Sequence, residues 1–256
     1  MEQKILSRLG WPILIVLTLI PLYMWVLIEP FSARFSTNYL ALTNIGRIAG
    51  IMAVVLFCFN VILTTRLKSI EILFGGLNKM FIAHHLLGGL ALCVVLIHPL
   101  ALSLRSANIS LNDSALLLLP RLSDIPTAYG VLALWLFIIL MVITFYINLP
   151  YKIWLFTHKF LGLVLLLIAL HVLLLSSDTS KSPILKTYLL TLLALAVISF
   201  VYRTLLPRFF VRRYAYQITD VKQPSAGVVR ITMRPESKSL QFKSGQFIFI
   251  SFFILI

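Results

Sequence analysis

The sequence predicts an all-α membrane protein: a six-helix transmembrane bundle followed by a short strand-forming segment. Three observations carry that prediction. Of 256 residues, 60% are hydrophobic and only 12% are charged, against about 25% charged in ordinary soluble domains. Mean hydropathy over the whole length is +1.01. The apolar residues also gather into six stretches, near 10–29, 42–64, 80–103, 127–147, 153–175 and 184–206. Each approaches or exceeds the ~20 residues that a helix needs to cross a bilayer.

The first stretch opens on Lys4 and Arg8, as a signal peptide would. Its apolar run from Trp11 to Ile28 is longer than a signal core and no A-x-A-like site follows, so it reads as a retained span. The connections at 65–79 and 148–152 are short and basic, and those at 30–41, 104–126 and 176–183 are mixed. In the connections and at the ends of the spans, ten Lys and Arg fall on the side that holds the N-terminus and the end of span six, and five on the other. The positive-inside rule then expects a multi-pass protein of the plasma (cell inner) membrane with both termini cytoplasmic. The sequons at Asn108 and Asn112 fall on an outer connection.

After Pro207 the pattern changes, which sets a boundary between a membrane domain at 1–207 and a second segment at 208–256. Short strands are expected at 216–221, 228–234 and 246–252, separated by Pro224-Ser225-Ala226-Gly227 and a polar stretch around Ser237–Ser244. Apolar and polar residues alternate through Val229–Arg234, as in a half-buried strand. Three strands are too few to close a barrel, so the segment reads as the opening of a soluble domain.

The formal charge of +14 sits mostly at span ends and in the tail, where it fixes topology and meets anionic headgroups. No basic fold motif accompanies it, so nucleic acid is excluded as a partner and the lipid bilayer is expected. Cys58 and Cys93 lie within spans and form neither a disulfide nor a metal framework.

All five histidines lie in apolar runs, where an ionisable side chain is costly and points to function. His84 and His98 are 14 residues apart, and His158 and His171 are 13 apart. Spans three and five both start on the cytoplasmic side, so they run parallel. His84 and His158 therefore share a depth near the inner face, and His98 and His171 share one nearer the outer face. The layers are ~20 Å apart along the helices. That excludes a single tetrahedral zinc site and suits imidazole as an axial ligand to two stacked haems. A spacing of 14 returns to within about 40° of the same helix face, whereas 13 misses by about 140°, which calls for a locally tightened turn in span five. His85 points about 100° from His84, and the shared His-x-x-x-Gly pattern at Gly88 and Gly162 favours His84 as the ligand. Arg47, in the outer turns of span two, either pairs with a haem propionate or snorkels to the interface.

These residues resemble the ferric reductase-like transmembrane family, which includes NADPH oxidases and bacterial relatives. The resemblance rests on Gly46-Arg47-Ile48-Ala49-Gly50, on His84-x3-Gly88 with His98-Pro99, and on Leu149-Pro150-Tyr151-Lys152 with His158-x3-Gly162 and His171. The tail from Tyr216-Gln217-Ile218-Thr219-Asp220-Val221 to Gly245-Gln246-Phe247 is similar to the first strands of that family's ferredoxin-reductase-type FAD barrel. The resemblance implies an oxidoreductase holding two haem b groups, the inner on His84 and His158 and the outer on His98 and His171. It implies FAD and NAD(P)H as the cytoplasmic electron source, in a donor domain or protein, and ferric iron or dioxygen as the extracytoplasmic acceptor. The family's His-Pro-Phe-Ser/Thr flavin contact does not follow Gly245-Gln246-Phe247, so this chain is expected to hold an incomplete, truncated barrel. Two other readings stay open: a haem b subunit passing electrons from quinol or flavin to a periplasmic reductase, and a non-redox proton-coupled transporter.

Overall fold

The computed structural model describes residues 6–107, 110–204, 206, 214–242, 248 and 250–252. The expected sequon at Asn108 begins outside them. The chain divides into two compact units, Met1–Leu206 and Pro207–Ile256.

The first unit is helical. Its long elements are α1 (Gly10–Val26), α2 (Asn38–Leu63), α3 (Leu77–Ala107), α4 (Ile125–Tyr146), α5 (Tyr151–Lys159), α6 (Leu161–Leu174) and α7 (Pro183–Thr204). Among the described residues, α2, α3, α4, the consecutive α5–α6 pair and α7 are five helices long and apolar enough to cross a membrane. The first expected span is shorter than the rest, 17 residues ending at Val26, which leaves Glu29 beyond it.

Local chemistry sets several boundaries. The Thr37 hydroxyl accepts the Leu40 N–H at 3.2 Å to begin α2. The Asp124 carboxylate accepts the Thr127 N–H at 3.3 Å to begin α4, with Pro126 in its first turn. Gly75, at φ +72°, ends the short helix Lys68–Phe74 in the left-handed conformation that favours glycine. Inside α1, Pro21 has no N–H for the Leu17 carbonyl four residues back. The Tyr188 hydroxyl of α7 takes that role, donating to Leu17 O at 2.7 Å.

The most enclosed helix is α2. It lies along α3 and also meets α1 and α7, while α4 packs on α6. Val55, Phe57, Cys58, Met80 and Val164 form the middle of one continuous apolar core. The short helices Phe31–Arg34, Leu111–Leu116 and Asp178–Lys181 all lie at one end of the bundle, here called upper. Span five is not one straight rod. The Phe160 N–H donates to Thr157 O at 3.0 Å and the Leu163 N–H to Phe160 O at 2.9 Å, bonds that close three-residue turns. Such turns advance ~120° per residue instead of ~100°, which recovers part of the rotation that a 13-residue spacing lacks.

In the second unit, β1 (Tyr216–Ser225) pairs antiparallel with β2 (Val228–Pro235). The connecting turn contains Gly227 at φ +80°. The ladder slips between Ile218 and Asp220, where the Thr219 hydroxyl donates to Thr232 O at 3.1 Å. Of the strand expected at 246–252, Ile248 and residues 250–252 are not in a strand, and the others lie outside the described residues.

Candidate functional site

Four of the five histidines fall into two layers, and the helices hold them by their Nδ1 atoms. In the upper layer, His98 of α3 and His171 of α6 line one cavity of about 370 Å³. His98 Nδ1 lies 2.7 Å from Gly46 O of α2, and His171 Nδ1 lies 2.7 Å from Pro126 O of α4. Each of these carbonyls precedes a glycine by four residues. A methyl group at Gly50 would lie 2.8 Å from His98 Nδ1, and one at Gly130 would lie 2.7 Å from His171 Nδ1. The missing side chains let each imidazole edge reach the helix backbone. With a carbonyl at Nδ1, a neutral imidazole carries its proton there and presents the Nε2 lone pair to the cavity.

In the lower layer the ring centres of His84 and His158 are 6.3 Å apart, with their planes inclined at 68°. His84 Nδ1 lies 3.1 Å from Asn60 O of α2. His158 Nδ1 lies 3.4 Å from the Thr144 hydroxyl of α4, and its ring stacks on Trp154 at 5.0 Å and 15°. All four histidines are half-buried, whereas His85 is exposed, with its ring 5.6 Å from that of His84. The structure thus sets His84 beside His158 and brings His98 and His171 to one cavity, as the depth argument expects, while His85 stands exposed beside His84.

Arg47 lines the upper cavity with about a third of its side chain exposed, and its Nη1 donates to Asp178 Oδ1 at 2.8 Å. It is therefore fixed by a carboxylate rather than free to snorkel. Sequence reasoning passed over that carboxylate, because Asp178 stands in a polar connection between spans. It also passed over Arg105, which lies on α3 itself and reaches the same cavity. The Arg105 Nη1 donates to the Thr43 hydroxyl at 3.2 Å, and its Nε is buried without a hydrogen-bond partner among the described residues.

The motif glycines lie at helix contacts. Gly162 packs against the Phe200 ring of α7, and Gly88 faces the Asn60 side chain, so both serve helix contact. The glycines that abut imidazoles are Gly50 and Gly130. Among the described residues no group of three or more His, Cys, Asp or Glu gathers to hold a metal ion. Each layer offers the imidazoles of two facing spans.

Residues 49–169 match the family model described as ferric reductase like transmembrane component. The match takes in His84, His98 and His158 and stops two residues before His171. No curated protein matches the chain. At a coarse level that likeness points to the transmembrane part of an oxidoreductase that moves electrons across a membrane.

Proposed function

With residues 49–169 a ferric reductase-like transmembrane component, we propose that the bundle carries single electrons across the bilayer through two b-type haems. His84 and His158 would hold the lower one, and His98 and His171 the upper one. The donor is a cytoplasmic flavin fed by NAD(P)H, and the acceptor is extracytoplasmic ferric iron or dioxygen.

One observation carries the reading: two imidazoles stand at each of two depths, the upper pair lining one cavity and the lower pair with ring centres 6.3 Å apart, with Nδ1 engaged and Nε2 left over. Two imidazoles gripping one ion at ~2 Å per bond would place their ring centres roughly 6 Å apart, and the lower pair stands at 6.3 Å. With no third protein ligand gathered there among the described residues, a macrocycle would have to supply the other ligands to a bound iron. The upper cavity, at about 370 Å³, falls within the range of cofactor pockets. Its rim carries Arg47 and Arg105, and the unpartnered Arg105 Nε suits a carboxylate such as a propionate.

Bound haem would supply the one-electron chemistry. The chain's own residues do the rest. The carbonyls of Gly46, Pro126 and Asn60 hold three imidazoles in one tautomer and raise the basicity of Nε2. Phe137, Val164 and Leu189 wall part of the upper cavity with apolar surface. Asp178 holds Arg47 in place at the rim.

A pyridine haemochrome assay on the purified protein tests this. Two haems per chain are expected. Alanine at His98 or His171 should remove one, alanine at His84 or His158 the other, and His85→Ala should keep both. A wild-type protein without haem would overturn the proposal.

A further inference from the structure

His158 is the one histidine of the four whose Nδ1 meets a side chain instead of a backbone carbonyl. The reason lies in α4. In the upper layer His98 and His171 reach Gly46 O and Pro126 O directly, because the residue four positions later is glycine in both cases. In the lower layer the corresponding carbonyl on α4 is Leu140 O, and the residue four positions later is Thr144. Its hydroxyl donates to Leu140 O at 2.7 Å and stands 3.4 Å from His158 Nδ1. The single hydroxyl proton is committed to Leu140 O, so towards His158 the oxygen can act only as an acceptor.

From this arrangement we infer that Thr144 is a positioning residue for His158, relaying the Leu140 carbonyl to Nδ1 and so fixing the tautomer that offers Nε2. Trp154, stacked flat on the ring at 5.0 Å, holds the imidazole plane while the hydroxyl sets which nitrogen bears the proton. The inference rests on the haem reading above and goes beyond it. It makes the lower site tunable through a side chain, whereas the upper site is tied to backbone. Hydrogen-bond acceptors at Nδ1 strengthen the ligand at Nε2 and favour oxidised iron. Removing the acceptor should therefore raise the reduction potential of the lower haem alone.

The test uses the full chain in detergent, with Thr144→Val, Thr144→Ser and His84→Ala, followed by redox titration and low-temperature EPR of the ferric state. Wild type should show two low-spin haems. Thr144→Val should raise the midpoint of one haem and shift its EPR signal, with the other haem unmoved. Thr144→Ser should restore wild-type behaviour, and His84→Ala should remove the very signal that Thr144→Val moved. Loss of that one haem from Thr144→Val, with rescue by serine, also supports the inference. A two-haem wild type whose Thr144→Val spectra and potentials are unchanged, or shifted equally for both haems, overturns it and leaves the function reading standing. A haem-free wild type defeats the function reading, and this inference with it.

Discussion

Asp178 Oδ2 lies 3.0 Å from Arg34 Nη1, with the two side chains 2% and 0% exposed. The same oxygen accepts the Trp25 indole N–H at 2.8 Å, while Oδ1 accepts from Arg47. Arg34 also donates to Asn44 Oδ1 at 3.1 Å and to Trp25 O at 2.9 Å, and it lies 3.6 Å over the Trp25 ring. One carboxylate thereby joins α1, α2 and two connections at the upper end of the bundle.

Removing that carboxylate strands a buried guanidinium. Truncating one partner of a buried pair costs ~3–5 kcal/mol, because the remaining charge stays out of water uncompensated. Asp178→Ala should therefore lower the thermal unfolding midpoint in detergent markedly. Asp178→Asn, which keeps an acceptor for Trp25, should lower it less. Equal midpoints for Asp178→Ala and wild type would show that the cluster contributes nothing to stability.

The Tyr188–Leu17 bond predicts a coupling. Tyr188→Phe leaves the Leu17 carbonyl without a donor, since Pro21 cannot supply one. The loss should be about 1 kcal/mol, within the range for interhelical hydrogen bonds in membranes. In a Pro21→Ala background the backbone N–H returns to Leu17 O, so the same Tyr188→Phe change should cost less. A double-mutant cycle by detergent denaturation reads the difference, and additive effects would exclude the substitution of hydroxyl for amide.

Much of this was legible in the sequence. Span positions follow from runs of apolar residues, and the pairing of His84 with His158 and of His98 with His171 follows from depth alone, because alternate spans run parallel. What depth cannot give is the partner of each Nδ1. Gly46 and Pro126 lie 52 and 45 residues from the histidines that they hold, and no local pattern links them. Asp178 was hidden for a similar reason. A lone Asp in a polar connection looks solvated until Arg34 and Trp25 are seen folded over it. The kink at Phe160 was foreshadowed only by the awkward 13-residue spacing, since the flanking residues hold neither proline nor a glycine pair.

Glu29, beyond the end of α1, accepts a hydrogen bond from Lys181 Nζ at 2.6 Å. That bond, outweighing slight desolvation, holds its carboxyl below the ordinary glutamate value of 4.5. A depressed carboxylate adds stability above its unfolded value and loses it as pH falls through the folded one. Both side chains are more than a third exposed, so the contribution should stay under ~1 kcal/mol. Wild type should melt slightly above Glu29→Gln at pH 7, and the gap should close as pH drops below 4.5. A gap that widens in acid would contradict the assignment.

Gly130 gives the sharpest separation of the two layers. A Cβ there would sit 2.7 Å from His171 Nδ1 and 2.8 Å from its Cε1, so a valine must push the ring off the Pro126 carbonyl. The lower pair is held by Asn60 and Thr144, on other turns of α2 and α4, and should not feel the change. Gly130→Val is therefore expected to bind one haem per chain by pyridine haemochrome instead of two, matching His171→Ala. Gly89→Val offers the control. It lies on α3 beside the lower layer, and nothing stands within 4 Å of where its Cβ would point. It should keep both haems, and loss of haem from this control to the same extent as from Gly130→Val would trace the effect to disturbed helix packing instead of to His171.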